Sequence, residues 1–162
     1  MNPQLKAFLD TIAWAEIGPQ ILAESDDGYN VLAGSLPDMV ITFSSYHRHP
    51  GILIDMDGRP GGLESTAAGR YQLLGRYWRP YCRQLGLKDF SPAAQDTIAI
   101  QLIKECRAIA DIEVGRFEQA VRKCRSRWAS LPGASYGQPE KTMVELRKVF
   151  VDAGGELGKV NN

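Results

Sequence analysis

A single carboxylate, Glu16, stands where the sequence predicts the buried face of a helix. The apolar positions of that face repeat with helical spacing, and they are Leu5, Phe8, Leu9 and Ile12. Glu16 lies four residues after Ile12, in the last turn before Gly18-Pro19, where the helix dipole is negative. Burial and the dipole both raise the pKa of a carboxyl group, so Glu16 is a candidate general acid. The alternative is a glutamate at a helix end that turns into solvent, and periodicity alone leaves both open.

Two glycine-containing segments, 65–72 and 131–138, combine aromatic and amide side chains. Aromatic rings stack on the C–H faces of sugars, and amides bond to their hydroxyl and acetamido groups. Small residues also let the backbone come close to a ligand. The two segments therefore fit a polysaccharide groove, with core packing of the two tyrosines as the alternative. The side chains concerned are Arg70, Tyr71, Gln72, Tyr136 and Gln138.

The sequence does not identify which residue would serve as a second catalytic carboxylate. Several aspartates lie in turn-like stretches, where the residue is common because it bonds to nearby backbone. Any of them could partner Glu16, and they are Asp26, Asp27, Asp38, Asp55 and Asp57. A basic run, Arg122 to Arg127, is typical of a solvated helix face, with a nucleic-acid surface as the alternative.

Histidine and cysteine give weaker indications of chemistry. His47 and His49 form a His-x-His pair, but no cysteine or third histidine lies nearby, so a turn-stabilising or surface role is favoured over zinc binding. The cysteines lie on helical stripes and are interpreted as small core residues, namely Cys82, Cys106 and Cys124. An odd number of cysteines also excludes a secreted disulfide scaffold.

The elements that must position these groups are predicted in the order of one helix, then a small sheet, then several helices. Asn2-Pro3 predicts the start of the first helix and Gly18-Pro19 its end. Residues 26–63 are rich in turn-forming residues and predict short strands. Those strands are expected at Val31-Leu32, Val40 to Phe43 and Ile52 to Ile54, with turns at Asp57-Gly58 and Pro60 to Gly62.

Helical patterns return from Glu64 onward. Four segments are predicted: a stripe from Leu73 to Tyr81, kinked or broken near Pro80; a helix from Ser91-Pro92; a stripe from Phe117 to Leu131; and a helix from Pro139-Glu140 to Gly154-Gly155. The order predicts an α+β fold with one domain over 1–162, a small β lobe at about 26–63, and a ligand cleft between the lobes.

Composition restricts the function further. The chain has 162 residues, and 19 Lys and Arg balance 19 Asp and Glu. This balance gives no overall attraction to nucleic acid or to anionic lipid. The start of the chain resembles neither a signal peptide nor a membrane anchor, so we expect a soluble protein made in the cytoplasm.

Together, the motifs resemble the bacteriophage lambda endolysin family, over about Gln4 to Gly155 and in the family's order. The segments that carry the resemblance are Phe8-Leu9-Asp10 with Ala13-Trp14-Ala15-Glu16, then Gly28-Tyr29-Asn30-Val31, His49-Pro50, Ser65 to Leu74, Gln84 to Pro92, and Trp128 to Gln138.

The resemblance implies a lysozyme-like α+β fold and a lytic transglycosylase. Such enzymes cut the β-1,4 bond between N-acetylmuramic acid and N-acetylglucosamine in peptidoglycan and leave a 1,6-anhydro ring. Glu16 matches the family's catalytic glutamate, and no metal or cofactor is implied. The saccharide-binding positions match Asn30, Arg70, Tyr71, Gln72, Tyr136 and Gln138.

The same resemblance implies peptidoglycan glycan strands as the partner of a monomer that neither binds nucleic acid nor inserts into membranes. We expect it to stay in the host cytoplasm until a holin opens the inner membrane at lysis, and then to reach the periplasm and the cell wall.

The sequence departs from the family pattern in three places. Ile17 follows the glutamate where glycine is usual, Asn30 replaces a frequent aspartate, and the loop 37–59 matches poorly. The change at Asn30 favours a one-carboxylate mechanism. Three alternatives remain: a hydrolytic muramidase that uses an aspartate among 26, 27 and 38, a non-catalytic glycan-binding module, and a nucleic-acid-binding helical domain.

Overall fold

The computed structural model describes residues 1–137 and 139–158, and its regular secondary structure is mainly helical. The helices are α1 (Pro3–Ile17), α2 (Pro19–Ala23), α3 (Gly75–Leu85), α4 (Pro92–Glu105), α5 (Ile109–Glu113), α6 (Phe117–Cys124) and α7 (Met143–Asp152). Between α2 and α3 lie the strands β1 (Ile54–Asp55) and β2 (Glu64–Ser65). The predicted α+β class is therefore confirmed.

The chain divides into two compact units. The helical unit contains Met1–Glu16 and the described residues from Ala99 onward. The mixed unit is the continuous stretch Ile17–Ile98, which includes both strands. The boundaries fall at the end of α1 and within α4.

Helix α1 begins where the sequence predicts. The Asn2 side-chain oxygen accepts the backbone N–H of Gln4 at 2.8 Å, which satisfies one of the donors that a helix start leaves open. Pro3 occupies the first helical position, where its missing N–H costs nothing. The helix ends at Ile17, and Gly18 follows with a φ of 89°, a conformation that favours glycine.

Three phenylalanines form the centre of the helical unit. Phe8 of α1 meets Phe117 of α6 edge to face, with ring centroids 6.0 Å apart. Phe117 in turn stacks on Phe150 of α7 at 4.6 Å. All three are at most 2% exposed, so each contributes about 1.5–3 kcal/mol through burial. This cluster fixes α1, and with it Glu16, against the C-terminal helices.

The mixed unit holds a small antiparallel sheet. In β1 and β2, Ile54 pairs with Ser65 and Asp55 with Glu64. The intervening turn is closed by Asp55, whose side chain accepts the N–H of Gly58 at 2.7 Å. Further single antiparallel bridges are Val31–Thr42, Leu36–Met39, Leu32–Ala68 and Ala68–Leu73. The last two extend the pairing beyond residue 63.

Phe90 is the centre of the mixed unit's core. Its ring lies 5.3 Å from that of Trp78, 4.9 Å from that of His49 and 6.2 Å from that of Phe43. These contacts join the loop before α4 to α3 and to the sheet region.

Three predicted helix boundaries were wrong. Helix α3 continues through Pro80, which lies inside it, to Leu85. Helix α6 ends at Cys124, although the apolar stripe continues to Leu131; tight turns bury Trp128 and Leu131 after the helix. The last helix starts at Met143 because Thr142 and Glu145 cap it reciprocally.

Among the described residues, no helix combines the length and the apolar character that a membrane crossing requires.

Candidate active site

Glu16 lies on the buried side of α1. Phe8, Ile12 and Ala15 on that side are between 0% and 5% exposed, and Glu16 continues the same face. Its side chain is itself partly buried. The position that helical spacing predicts for this carboxylate is therefore the one observed.

Ser130 is the partner of Glu16. Its hydroxyl donates to Glu16 Oε1, and its backbone N–H lies 3.4 Å from the same oxygen. The serine is held in a turn where Leu131 N–H donates to Trp128 O at 3.2 Å. Lys141 N–H donates to Ser130 O at 2.8 Å, so the backbone on both sides of the turn is fixed. Two residues 114 positions apart in the sequence thus form one site.

The Glu16 carboxyl holds its proton more strongly than an exposed glutamate. Burial is the largest cause and raises the pKa, while the two hydrogen bonds from Ser130 lower it in part. The C-terminal end of α1 adds negative dipole potential in the same direction as burial. A carboxyl group whose pKa is raised in this way can serve as a general acid.

Ser130 was not assigned a role from the sequence. It belongs to the segment Trp128 to Gln138 that carries the family resemblance, directly before a glycine-rich loop. Its position within that motif was the available signal. Its contact with Glu16 depends on the tertiary fold, which a single sequence does not display.

The loop after Ser130 is closed by Glu140. Its carboxylate accepts the N–H groups of Gly133 and Ser135, each at 2.9 Å, and these bonds lower its pKa. Tyr136 is 58% exposed, and its hydroxyl donates to Ser126 O at 3.0 Å. The ring is therefore presented to solvent rather than packed in the core. Gln138 lies outside the described residues.

Arg70 and Tyr71 lie inside the mixed unit, 5% and 6% exposed. Arg70 Nη1 pairs with Asp27 Oδ1 at 2.6 Å, and its guanidinium lies 5.2 Å from the Tyr29 ring centroid. The Tyr71 hydroxyl donates to Asp96 at 2.7 Å, and the Tyr29 hydroxyl donates to the same oxygen at 2.9 Å. Burial and the Asp96 charge raise the pKa of both phenols, that of Tyr29 to about 12. Both tyrosines thus stay neutral donors.

Gln72 and Asn30 stabilise neighbouring turns of the mixed unit. Gln72 has a φ of 50°, and its amide donates to Gly69 O at 2.9 Å. The Asn30 side-chain oxygen accepts the backbone N–H of Asp26 at 3.0 Å, which closes the turn that carries Asp27. Arg70 and Asn30 therefore both contact the turn that contains Asp26 and Asp27. Both amide side chains are partly buried.

The candidate second carboxylates include two that are held by contacts within the mixed unit. Asp26 accepts the Tyr46 hydroxyl at 2.5 Å, and Asp27 forms the ion pair with Arg70. Asp38 is exposed to solvent. The carboxylate of Asp27 is therefore occupied by the guanidinium of Arg70, which leaves it less available to a substrate.

His49 stabilises a turn, in agreement with its interpretation from the sequence. Its Nδ1 accepts Gly51 N–H at 3.0 Å, which places the proton on Nε2, 2.8 Å from Leu73 O. Burial lowers its pKa, so the ring is neutral near pH 7. Among the described residues, no three His, Cys, Asp or Glu side chains are grouped as a metal site would require.

Three side chains of the basic run lie against carboxylates rather than forming an open cationic surface. The pairs are Arg122–Glu118 at 3.5 Å, Lys123–Asp111 at 2.5 Å and Arg127–Glu105 at 3.0 Å. These contacts favour the solvated-face interpretation over a nucleic-acid surface.

Comparisons with known proteins identify the family and the fold of this chain. The sequence profile of the family described as Endolysin matches residues 6–157. The endolysin of Escherichia phage lambda is 43% identical over 162 residues, covering 99% of this chain and 98% of the phage protein. The endolysin of Escherichia phage P2 is 43% identical over 160 residues, covering 95% and 94%.

Solved structures give the same result. Bacteriophage lambda lysozyme complexed with a chitohexasaccharide matches with a TM-score of 0.87 and 44% identity, over 97% of each chain. Another structure of lysozyme from bacteriophage lambda matches with a TM-score of 0.83 and 43% identity, also over 97% of each chain. The predicted lysozyme-like fold is confirmed. The extent of the family match and the identity to both phage proteins show that this chain belongs to the endolysin family.

Proposed function

We propose that this endolysin is a lytic transglycosylase in which Glu16 acts first as an acid and then as a base. Its family membership makes it a peptidoglycan-degrading enzyme that lyses cell walls. The proposed bond is the β-1,4 link between N-acetylmuramic acid and N-acetylglucosamine, and the proposed product end is 1,6-anhydromuramic acid. The observation that carries the proposal is the buried, Ser130-bonded carboxyl of Glu16 with its raised pKa.

The reaction proceeds in two proton transfers. Glu16 donates its proton to the glycosidic oxygen as the C1–O bond breaks, and the 2-acetamido oxygen of the muramoyl residue stabilises the positive charge at C1. The ionised Glu16 then takes the proton of the muramoyl C6 hydroxyl, and the C6 oxygen bonds to C1 and closes the anhydro ring. The reaction consumes no water, and Glu16 is protonated again at its end. General acid–base catalysis of this kind contributes about 10²–10⁴-fold in rate.

The contacts of the aspartates support a mechanism with one carboxylate. A hydrolytic glycosidase uses a second carboxylate as base or nucleophile. Asp27 is neutralised by Arg70, and Asp26 is bonded to Tyr46, so neither is a strong candidate for that role. Asn30, in the turn beside Asp27, adds no charge.

The glycan-binding role is supported by the lambda lysozyme complex with a chitohexasaccharide, a polymer of N-acetylglucosamine. We propose that this chain binds glycan strands of the same chemistry, with the exposed ring of Tyr136 as a stacking platform. Gln138, Asn30 and Gln72 would supply amide contacts. Because Arg70 and Tyr71 are buried, we propose that they act chiefly by holding the binding loop in shape.

Access to the wall is part of the proposal. We propose that the enzyme acts as a monomer without cofactor, accumulates in the host cytoplasm, and reaches the periplasm and wall when a holin permeabilises the inner membrane.

Mass analysis of digested peptidoglycan tests the reaction. Anhydromuramic ends are expected, whereas reducing muramic ends would mean that the enzyme adds water. The variant Glu16→Gln keeps the size of the side chain and removes the acid, so lysis should be abolished. Its thermal transition should stay nearly unchanged, because the amide oxygen can still accept the two hydrogen bonds from Ser130. Lysis at a tenth of the normal rate or more would overturn the role of Glu16.

A further inference from the structure

Two cysteines of the helical unit, Cys106 and Cys124, lie on neighbouring parts of the fold. Cys106 follows the end of α4, and Cys124 is the last residue of α6. Cys124 is fully buried, whereas Cys106 is partly exposed. We call them the cysteine pair. The sequence interpretation as a buried core residue is confirmed for Cys124 but was wrong for Cys82 and Cys106, which are partly exposed.

Contacts on both sides of the cysteine pair hold the two chain segments together. On one side, Arg127 Nη2 bonds to Glu105 Oε2 at 3.0 Å. On the other, Lys123 Nζ donates to the Arg107 carbonyl at 3.0 Å. Each contact joins a residue adjacent to Cys106 to one within three positions of Cys124. The two cysteines thus lie between these contacts, on neighbouring segments of the chain.

The thiols themselves are in hydrogen-bonding contact. Cys124 donates to Cys106, which favours the thiolate at Cys106 and disfavours it at Cys124. Arg127 lies near Cys106 and stabilises the same negative charge. The pKa of Cys106 is therefore lowered, and that of the buried Cys124 is raised. Cys106, which is partly exposed, is therefore expected to react first, and the buried Cys124 is expected to react second.

We propose that Cys106 and Cys124 are a redox modification site, which disulfide oxidants convert to an intramolecular disulfide. The Cys106 thiolate attacks one sulfur of the oxidant and releases the other as a thiolate, which leaves a mixed disulfide on Cys106. Cys124 then loses its proton and attacks the Cys106 sulfur, which expels the second half of the oxidant. The pair loses two electrons and two protons, and the oxidant becomes two thiols.

Cys82 provides a matched control in the same chain. Cys82 lies in helix α3 and is also partly exposed. Its thiol donates to the Leu87 carbonyl at 3.0 Å rather than to another thiol. A backbone acceptor does not favour a thiolate and cannot resolve a mixed disulfide. Cys82 should therefore react slowly with the same oxidant and stop at the adduct.

The test is incubation of the full protein with glutathione disulfide at neutral pH, followed by tryptic mapping without reductant. Cleavage after Lys104, Arg107, Lys123 and Arg125 separates the pair into two short peptides. The wild type should yield these peptides joined, with only transient glutathione on Cys106. Cys106 should react at least about tenfold faster than Cys82, because thiolate is the reacting form.

Two variants complete the test. In Cys124→Ala, glutathione should persist on Cys106, because the resolving thiol is absent. In Cys106→Ser, a change at a partly exposed position, the buried Cys124 should stay unmodified. A lasting glutathione adduct on Cys106 in the wild type, cross-linked dimers in place of the internal bond, or equal rates at Cys82 would each overturn the proposal.

Discussion

Replacing Ser130 by alanine isolates the effect of one hydroxyl on Glu16. The variant loses the O–H that donates to Glu16 Oε1 and keeps the backbone N–H, 3.4 Å from the same atom. In the wild type this bond lowers the Glu16 pKa and so opposes the effect of burial. Ser130→Ala should therefore raise the pKa further. The acid will stay protonated to higher pH, and the alkaline limb of the activity profile will move upward.

The size of the effect follows from the type of bond. A hydrogen bond to a charged group contributes about 1.5–3 kcal/mol. Because 1.36 kcal/mol corresponds to a tenfold change in an ionisation constant, the ionisation constant of Glu16 should fall about 10- to 100-fold. At low pH, where Glu16 is protonated in both proteins, the rate should fall no more than about tenfold, since the hydroxyl positions the acid and does not transfer its proton.

The pH dependence of stability gives a second measurement. The Glu16 pKa in the folded protein lies above its unfolded value, so ionisation disfavours the folded state. Wild-type stability relative to Glu16→Gln should therefore be highest at low pH and should decrease as the pH rises through the Glu16 pKa. The decrease should be larger in Ser130→Ala than in the wild type.

The assays are kcat/KM on purified peptidoglycan from acid to alkaline pH and urea unfolding over the same range. Ser130→Thr keeps both the hydroxyl and the N–H, so its profile should stay close to that of the wild type. A Ser130→Ala profile that stays in place or moves to lower pH would show that the hydroxyl does not tune Glu16.

Three further outcomes are expected. Asp111→Asn should lower the free energy of unfolding by about 1.5–3 kcal/mol, because the ion pairs of the buried carboxylate with Arg116 and Lys123 are lost. The pKa of Asp111 is lowered in the folded state, so the stability difference from the wild type should vanish as the pH falls through that pKa. Gly69→Ala should destabilise the mixed unit in urea unfolding more than Gly51→Ala does, because both have positive φ but only the first would press a methyl group onto the buried amide of Gln95. Tyr136→Ala should weaken binding of N-acetylglucosamine oligomers by up to about tenfold in calorimetry while the unfolding free energy changes by less than about 0.5 kcal/mol.

Local physics made the acid of the site predictable. Glu16 is recognisable because helical periodicity is a property of a short segment, and one charged residue on an apolar stripe is visible without the fold. Asn2 was predictable as the start of α1 for the same reason, since a cap acts two residues away. Ser130 was not, because its role depends on a contact 114 residues away in the sequence.

Burial of the loop residues could not be read from residue types. Arg70 and Tyr71 look like ligand-binding side chains in the sequence, but Asp27 and Asp96 give them partners inside the mixed unit. A cation and a phenol can be buried only when such partners exist, and those partners come from distant segments. The boundary of the last helix was different, since the Thr142 and Glu145 capping pattern was present in the sequence.

The two units differ in how their residues are ordered along the chain, and this has a consequence for synthesis. The mixed unit is continuous, so all its contacts are available to a nascent chain once residue 98 has left the ribosome. The helical unit joins the first sixteen residues to a segment that starts at Ala99, so those sixteen must wait while more than eighty others are translated. Domains generally fold as units during synthesis, and long-range closure is slow. Glu16 therefore meets Ser130 only after the mixed unit has been translated, and pulse-labelled ribosome-bound chains should gain amide protection in the mixed unit before α1.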